Sequence, residues 1–88
     1  MDRRTLTRHA EVRLQQRCIP ALIVDWLLAY GKREASAGAV KVRFDRRGRR
    51  DLAREVGSRA VSQMSKYLNA ALVVDRDTDC VITVEWLH

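Results

Sequence analysis

Three side chains near the start of the chain have the types and spacing to handle a phosphate. His9, Arg13 and Arg17 stand four residues apart, and helical residues at that interval share a face. A histidine titrates near neutral pH and can take or give a proton. A guanidinium offers a planar fork matched to phosphate oxygens. Cleaving RNA without a metal needs a base for the ribose 2′-hydroxyl, an acid for the leaving 5′-oxygen and cations around the charged intermediate. The row supplies one proton carrier and two cations. The plainer reading is a solvated helix face, with Arg13 and Arg17 paired to Glu11 or to the acidic C-terminal region.

A second cationic group lies in the middle of the chain. Val40, Val42 and Phe44 alternate with Lys41 and Arg43, the pattern of a strand with one buried and one basic face. Arg46, Arg47, Arg49 and Arg50 follow, clustered around Gly48. Lys41, Arg43 and these four arginines are candidate nucleic-acid contacts; the competing reading of the cluster is a solvated loop. Thr83 and Glu85 sit on the expected outward side of a last strand, and Thr83 is a candidate for orienting substrate. A cleft between the first helix and the basic strand would bring His9, Arg13, Arg17 and Thr83 together.

The elements that must position these groups can be read from periodicity. Thr7 is an N-cap candidate for a helix over residues 8–17. Leu6, Ala10, Leu14 and Cys18 form its apolar row. Pro20 opens a second helix to Tyr30, apolar on most sides and stopped by Gly31. Residues 32–38 read as a loop or weak edge strand, and residues 39–45 as a strand. Residues 46–50 form a turn or the opening of a third helix, which residues 49–56 continue up to Gly57. Ser58 would cap a fourth helix to Leu68. Residues 70–74 and 80–86 are strands, paired as a hairpin across the turn 75–79, with Cys80, Ile82, Val84 and Trp86 opposed to Val81, Thr83 and Glu85. The expected fold is α+β, an N-terminal helical hairpin on an antiparallel sheet of three to four strands. Trp26, Trp86, Tyr30 and Phe44 are expected in the core, stacking on a base being the alternative use of such a ring.

Composition narrows the function classes. Eighty-eight residues suit one domain, residues 1–88. A chain of this size buries only about 60–65% of its unfolded surface, so a partner is welcome. Charged residues make up 32% and hydrophobic ones 47%, which speaks for a folded globule and against disorder. The chain carries 17 basic against 11 acidic residues, a net +6, and 14 of the 17 are arginine. A GC-rich genome would raise arginine without any partner. The charge is uneven, however: residues 32–50 hold eight basic and two acidic side chains, while residues 71–88 are net −3. A basic body with an acidic end fits RNA or an acidic protein chain as partner. Cys18 and Cys80 lack metal-ligand spacing, so no metal and no cofactor are expected, and both are expected as buried thiols in a reducing cytosol. No apolar run follows Met1-Asp2-Arg3-Arg4, and the greasiest stretch, residues 19–28, is too short to cross a bilayer. A cytoplasmic protein without membrane attachment is expected.

Residues 7–19, T-R-H-A-E-V-R-L-Q-Q-R-C-I, resemble the opening of a large uncharacterised family of small bacterial and archaeal proteins. Its members begin with His-Ala, then Arg four residues after the His, then Arg-Gly-Ile. His9-Ala10, Arg13 and Arg17-Cys18-Ile19 match these positions, and residues 49–57 (R-R-D-L-A-R-E-V-G) and 81–84 (V-I-T-V) extend the likeness. The family is grouped with the RelE/ParE-like toxins, within the barnase–EndoU–colicin–RelE ribonuclease fold. The resemblance implies a helical hairpin on a four-stranded antiparallel sheet. It also implies a toxin–antitoxin setting with an acidic antitoxin-like partner, and metal-independent RNA cleavage by His9, Arg13, Arg17 and Thr83. Two positions depart from the pattern. Cys18 replaces the usual glycine between the helices, and the chain ends at Trp86-Leu87-His88 where relatives often continue with basic residues. His88 is a further candidate proton carrier. Related folds include gyrase inhibitors and inactive members, so fold alone does not assign chemistry. The two alternatives to a toxin-like ribonuclease are a non-catalytic nucleic-acid-binding or protein-binding module, and an interaction domain whose charge is incidental.

Overall fold

The computed structural model describes residues 6–87. Two helices, α1 (Arg8–Gln16) and α2 (Ala21–Tyr30), precede a hairpin of β1 (Lys32–Ser36) and β2 (Ala39–Arg43). Two more helices, α3 (Arg46–Val56) and α4 (Ser58–Gln63), lead through a 3₁₀ segment (Ser65–Asn69) into β3 (Ala70–Asp75) and β4 (Val81–Trp86). The sheet runs β1-β2-β3-β4, each pair antiparallel. The fold is α+β, with the helices against one face of the sheet. Among the described residues no helix is long and apolar enough to cross a membrane.

The start of α1 is tied to the far edge of the sheet. Thr7 Oγ1 accepts the Ala10 amide at 3.1 Å, the expected N-cap bond. The same hydroxyl donates to the Ile82 carbonyl at 3.0 Å, and the Thr7 amide donates to the Val81 carbonyl at 2.9 Å. Leu6 forms a parallel bridge to Val81, so the segment before α1 covers part of the β4 edge.

The end of α1 solves the turn without glycine. The Ile19 amide donates to Leu14 O at 3.0 Å and the Cys18 amide to Gln15 O at 3.2 Å, the paired bonds of a Schellman stop. Cys18 takes the left-handed position, φ +54°, where glycine is usual. Ile19 and Leu14, both buried, supply the apolar contact across the turn. Cys18 is consequently exposed, not buried as its place on the apolar row suggested, because α1 ends before that row reaches it. Cys80 is partly buried.

Helix α3 starts earlier than the apolar pattern implied. Asp45 caps it, its Oδ1 accepting the Gly48 amide at 2.7 Å. Gly48 is buried, and a Cβ there would collide with the Tyr30 carbonyl oxygen at the end of α2. The glycine therefore marks a backbone-to-backbone contact between two helices, not a turn. Leu52 lies one turn on and is 0% exposed.

Residues 32–36 form an exposed edge strand, one of the two readings open for them. Three expectations shift. The helix expected over residues 58–68 stops at Gln63 and tightens into the 3₁₀ segment, which turns Leu68 into the core while α4 buries none of its residues fully. Ser58 is the first residue of α4, whose N-cap is Gly57 with no side-chain bond. In β4, Val81 and Val84 are both fully buried though three apart. A regular strand forbids this, and a register shift between Val73 and Val74 allows it: Val73 pairs with Thr83 but Val74 with Val81. Val81 thus joins the core rather than the outward side. The core itself gathers Ala10, Leu14, Ile23, Leu27, Leu52 and Leu68 over Val42, Leu72, Val74 and Val84.

Candidate nucleic-acid interface

The His9 row descends into the surface along α1. His9 is exposed, whereas Arg13 and Arg17 are partly buried. Arg13 Nε lies 3.4 Å from His9 Nε2, and its Nη1 lies 3.2 Å from Gln16 Oε1. With Nε2 accepting, Nδ1 is the ring nitrogen left to carry a proton. Arg17 is the C-cap residue, and its Nε is buried with no hydrogen-bond partner among the described residues. The first two members of the row are therefore together, and the third sits at the edge of the core.

Thr83 is elsewhere. In register it aligns with Val73, and Val73 with Lys41, on the sheet face opposite Val42, Leu72 and Val84. Ala10 and Leu14 place α1 on that other, core-lined face. No hydrogen bond among the described residues joins Thr83 to His9, Arg13 or Arg17. The sheet face that carries Thr83 also holds Lys41, Arg43 and Glu85, as the alternation indicated, but Lys41 and Arg43 are already paired. Lys41 Nζ is 3.2 Å from Glu85 Oε1, and Arg43 Nε is 3.0 Å from Glu34 Oε1. Ala71, flanked in register by Arg43 and Glu85, is fully buried on this face. An open cavity of about 470 Å³ lies on the other flank of α1, against Leu6, Glu11, Gln15, Cys18, Pro20 and Ala21. It contains none of the candidate residues. His88 lies outside the described residues.

Exposed arginines collect on helix α3. Arg46, Arg47, Arg49 and Arg50 are all exposed, while Gly48 and Leu52 turn inward. Arg46 and Arg50, four apart, share a face, and Arg54 extends it by one more turn. The Arg54 side chain is 73% exposed, with only a 3.7 Å approach to Asp51. Beginning the helix at residue 49 hid this alignment; the interval between Arg46, Arg50 and Arg54 was the signal for it. Arg49 differs from the others. Its Nη2 donates to the Leu68 carbonyl at 3.2 Å and lies 3.4 Å from Asn69 Oδ1, pinning α3 to the 3₁₀ segment. Arg46 and Arg47 occupy the first helical turn, where the macrodipole disfavours cations by about 0.3–1 kcal/mol each. Folding gains nothing from that placement.

Among the described residues no group of three or more His, Cys, Asp or Glu side chains is placed to hold a metal ion. Comparison of the chain with protein-family models, with curated proteins and with solved structures finds no match.

Proposed function

We propose that the chain is a toxin-like RNA-binding domain that grips phosphates with the solvent face of α3. The observation carrying this reading is the set Arg46, Arg47 and Arg50. These side chains are exposed, lie on one amphipathic helix, and have no carboxylate partner among the described ion pairs. Forked guanidiniums suit phosphate better than they suit bulk water. The helical pair on a four-stranded antiparallel sheet is the architecture the toxin resemblance implies, and supports it further. An acidic antitoxin-like chain would cover the same face by charge complementarity.

The test is the salt dependence of RNA binding. The wild type should bind with a steep slope, and changing Arg46, Arg47 and Arg50 to Gln should reduce that slope by about 2, at roughly 0.7 per lost single-strand phosphate contact. An unchanged slope removes α3 from the interface. A second reading, metal-independent cleavage, rests on the contact between His9 and Arg13. Incubating RNA in EDTA with wild type and with His9→Ala decides it, since equal cleavage by both takes His9 out of the chemistry.

A further inference from the structure

The 3₁₀ segment Ser65–Asn69 joins the arginine helix to the end of β4, and it carries an aromatic pair. The rings of Tyr67 and Trp86 stack with centroids 6.2 Å apart and planes 23° from parallel. Both are partly exposed, whereas Trp26 and Phe44 are 8% and 3% exposed. Lys66 Nζ stands 5.0 Å from the Tyr67 ring centroid, so this ring is reached from solvent by a movable side chain. Two hydrogen bonds hold the corner in place. The Leu87 amide donates to Asn69 O at 2.7 Å, and Arg49 donates to Leu68 O.

We propose that this corner is a base-stacking platform, and that the nucleic acid taken by the domain is single-stranded RNA. The inference rests on the RNA-binding reading above and adds the strandedness of the ligand. A duplex hides the faces of its bases; only a single strand can turn one onto a protein ring. Base–aromatic stacking exceeds an exposed cation–π contact in strength, so a base displaces Lys66 from Tyr67, and the freed ammonium stays near the phosphates. Arg49 places the arginine face next to the same segment, which lets backbone and base be held together. Every base has a π face, so the platform tolerates any sequence.

The experiment titrates the intact chain with a single-stranded oligouridine and with an RNA duplex of the same length, reading affinity and tryptophan emission. The single strand should bind more tightly and quench emission. Trp86→Leu, with Trp26 as the remaining reporter, should lose the quench. It should also lose about 5- to 100-fold in single-strand affinity, with duplex affinity kept. Tyr67→Leu should weaken single-strand binding in the same way. Equal affinity for both RNAs with no quench in the wild type overturns the platform and leaves the RNA-binding reading standing. So does an equal loss on single strand and duplex in Trp86→Leu and Tyr67→Leu when both variants melt as the wild type does, because the rings then make no contact specific to an unstacked base. Binding of neither RNA overturns both readings together.

Discussion

Helices α1 and α3 carry similar cationic equipment and use it differently. On α1 the charges sink toward the core: His9 is exposed, Arg13 and Arg17 are partly buried, and Arg17 Nε lacks a partner among the described residues. On α3 the arginines at 46, 47 and 50 stay exposed. The difference comes from how each helix is seated. Thr7 ties α1 to β4 through two carbonyls, and Ala10 and Leu14 roll the helix so that the Arg17 end turns inward. Gly48 lets α3 approach the α2 backbone at the one position flanked on both sides by arginines, so they all turn outward. The outer sheet face is a third case, where Lys41 and Arg43 are each paired with a neighbouring carboxylate. Such exposed pairs are worth about 0.2–1 kcal/mol, but they occupy the charge a phosphate would need.

The contrast can be broken at the seats. Gly48→Ala gives α3 a better helix former, a gain of up to about 1 kcal/mol. The new Cβ meets the Tyr30 carbonyl, and overpacking of this kind costs about 1–3 kcal/mol. The clash should win, lowering the denaturation midpoint and weakening RNA binding by re-aiming the arginines. A variant as stable as wild type would show that α3 does not rest on that contact. For α1, Thr7→Val removes the cap and the bond to Ile82 O while keeping the shape of the side chain. The expected loss is about 2 kcal/mol, from two bonds of about 1 kcal/mol each, read by urea denaturation. RNA affinity should hold among the molecules that remain folded.

Smaller effects sharpen the picture. Cys18→Gly relieves a left-handed residue, worth about 1–2 kcal/mol. It adds about 0.5–1 kcal/mol of unfolded-state freedom. A net stabilisation of about 0.5–1 kcal/mol should appear as a higher melting temperature; destabilisation would mean that the thiol packs in a way its exposure does not suggest. The smallest effect lies in the acidic turn. Asp75 is held below its ordinary carboxylate value of 3.8 by hydrogen bonds from the backbone amides of Thr78 and Asp77. A lowered native pKa adds stability that is present above the unfolded value and drains away as pH falls through the native one. Asp75→Asn should therefore be slightly less stable than wild type at pH 7, and the difference should vanish as pH falls below about 4, as followed by thermal melts across that range.

The helices and strands were legible where periodicity was strong: α1, α2, β2 and the hairpin of β3 and β4. Three features were not. The β4 bulge is invisible to alternation because it requires a partner strand whose register slips. The break after Gln63 follows from the need to bury Leu68 ahead of β3, a tertiary demand on a segment of ordinary helix propensity. Around Gly48 the helix start was one of two open readings, but the close approach to α2 was not legible, because glycine signals flexibility in isolation and close approach only beside another helix. Of the candidate site residues, the contact between His9 and Arg13 was readable from their spacing, as was the shared face of Lys41, Arg43, Thr83 and Glu85. Their pairing with Glu34 and Glu85 involves strand neighbours that no linear pattern specifies. Tyr67 and Trp86, nineteen residues apart, meet only because the 3₁₀ segment and β4 converge.

Residue order alone determined the class of fold, the cap Thr7 and the concentration of arginine in the middle of the chain, because these depend on local periodicity, short-range hydrogen bonds and charge count. Tertiary structure decided which way each charged face looks. That orientation depends on how a helix is rolled against the sheet, and the roll is fixed by contacts between residues far apart in sequence: Thr7 with Ile82, Gly48 with Tyr30, Arg49 with Leu68.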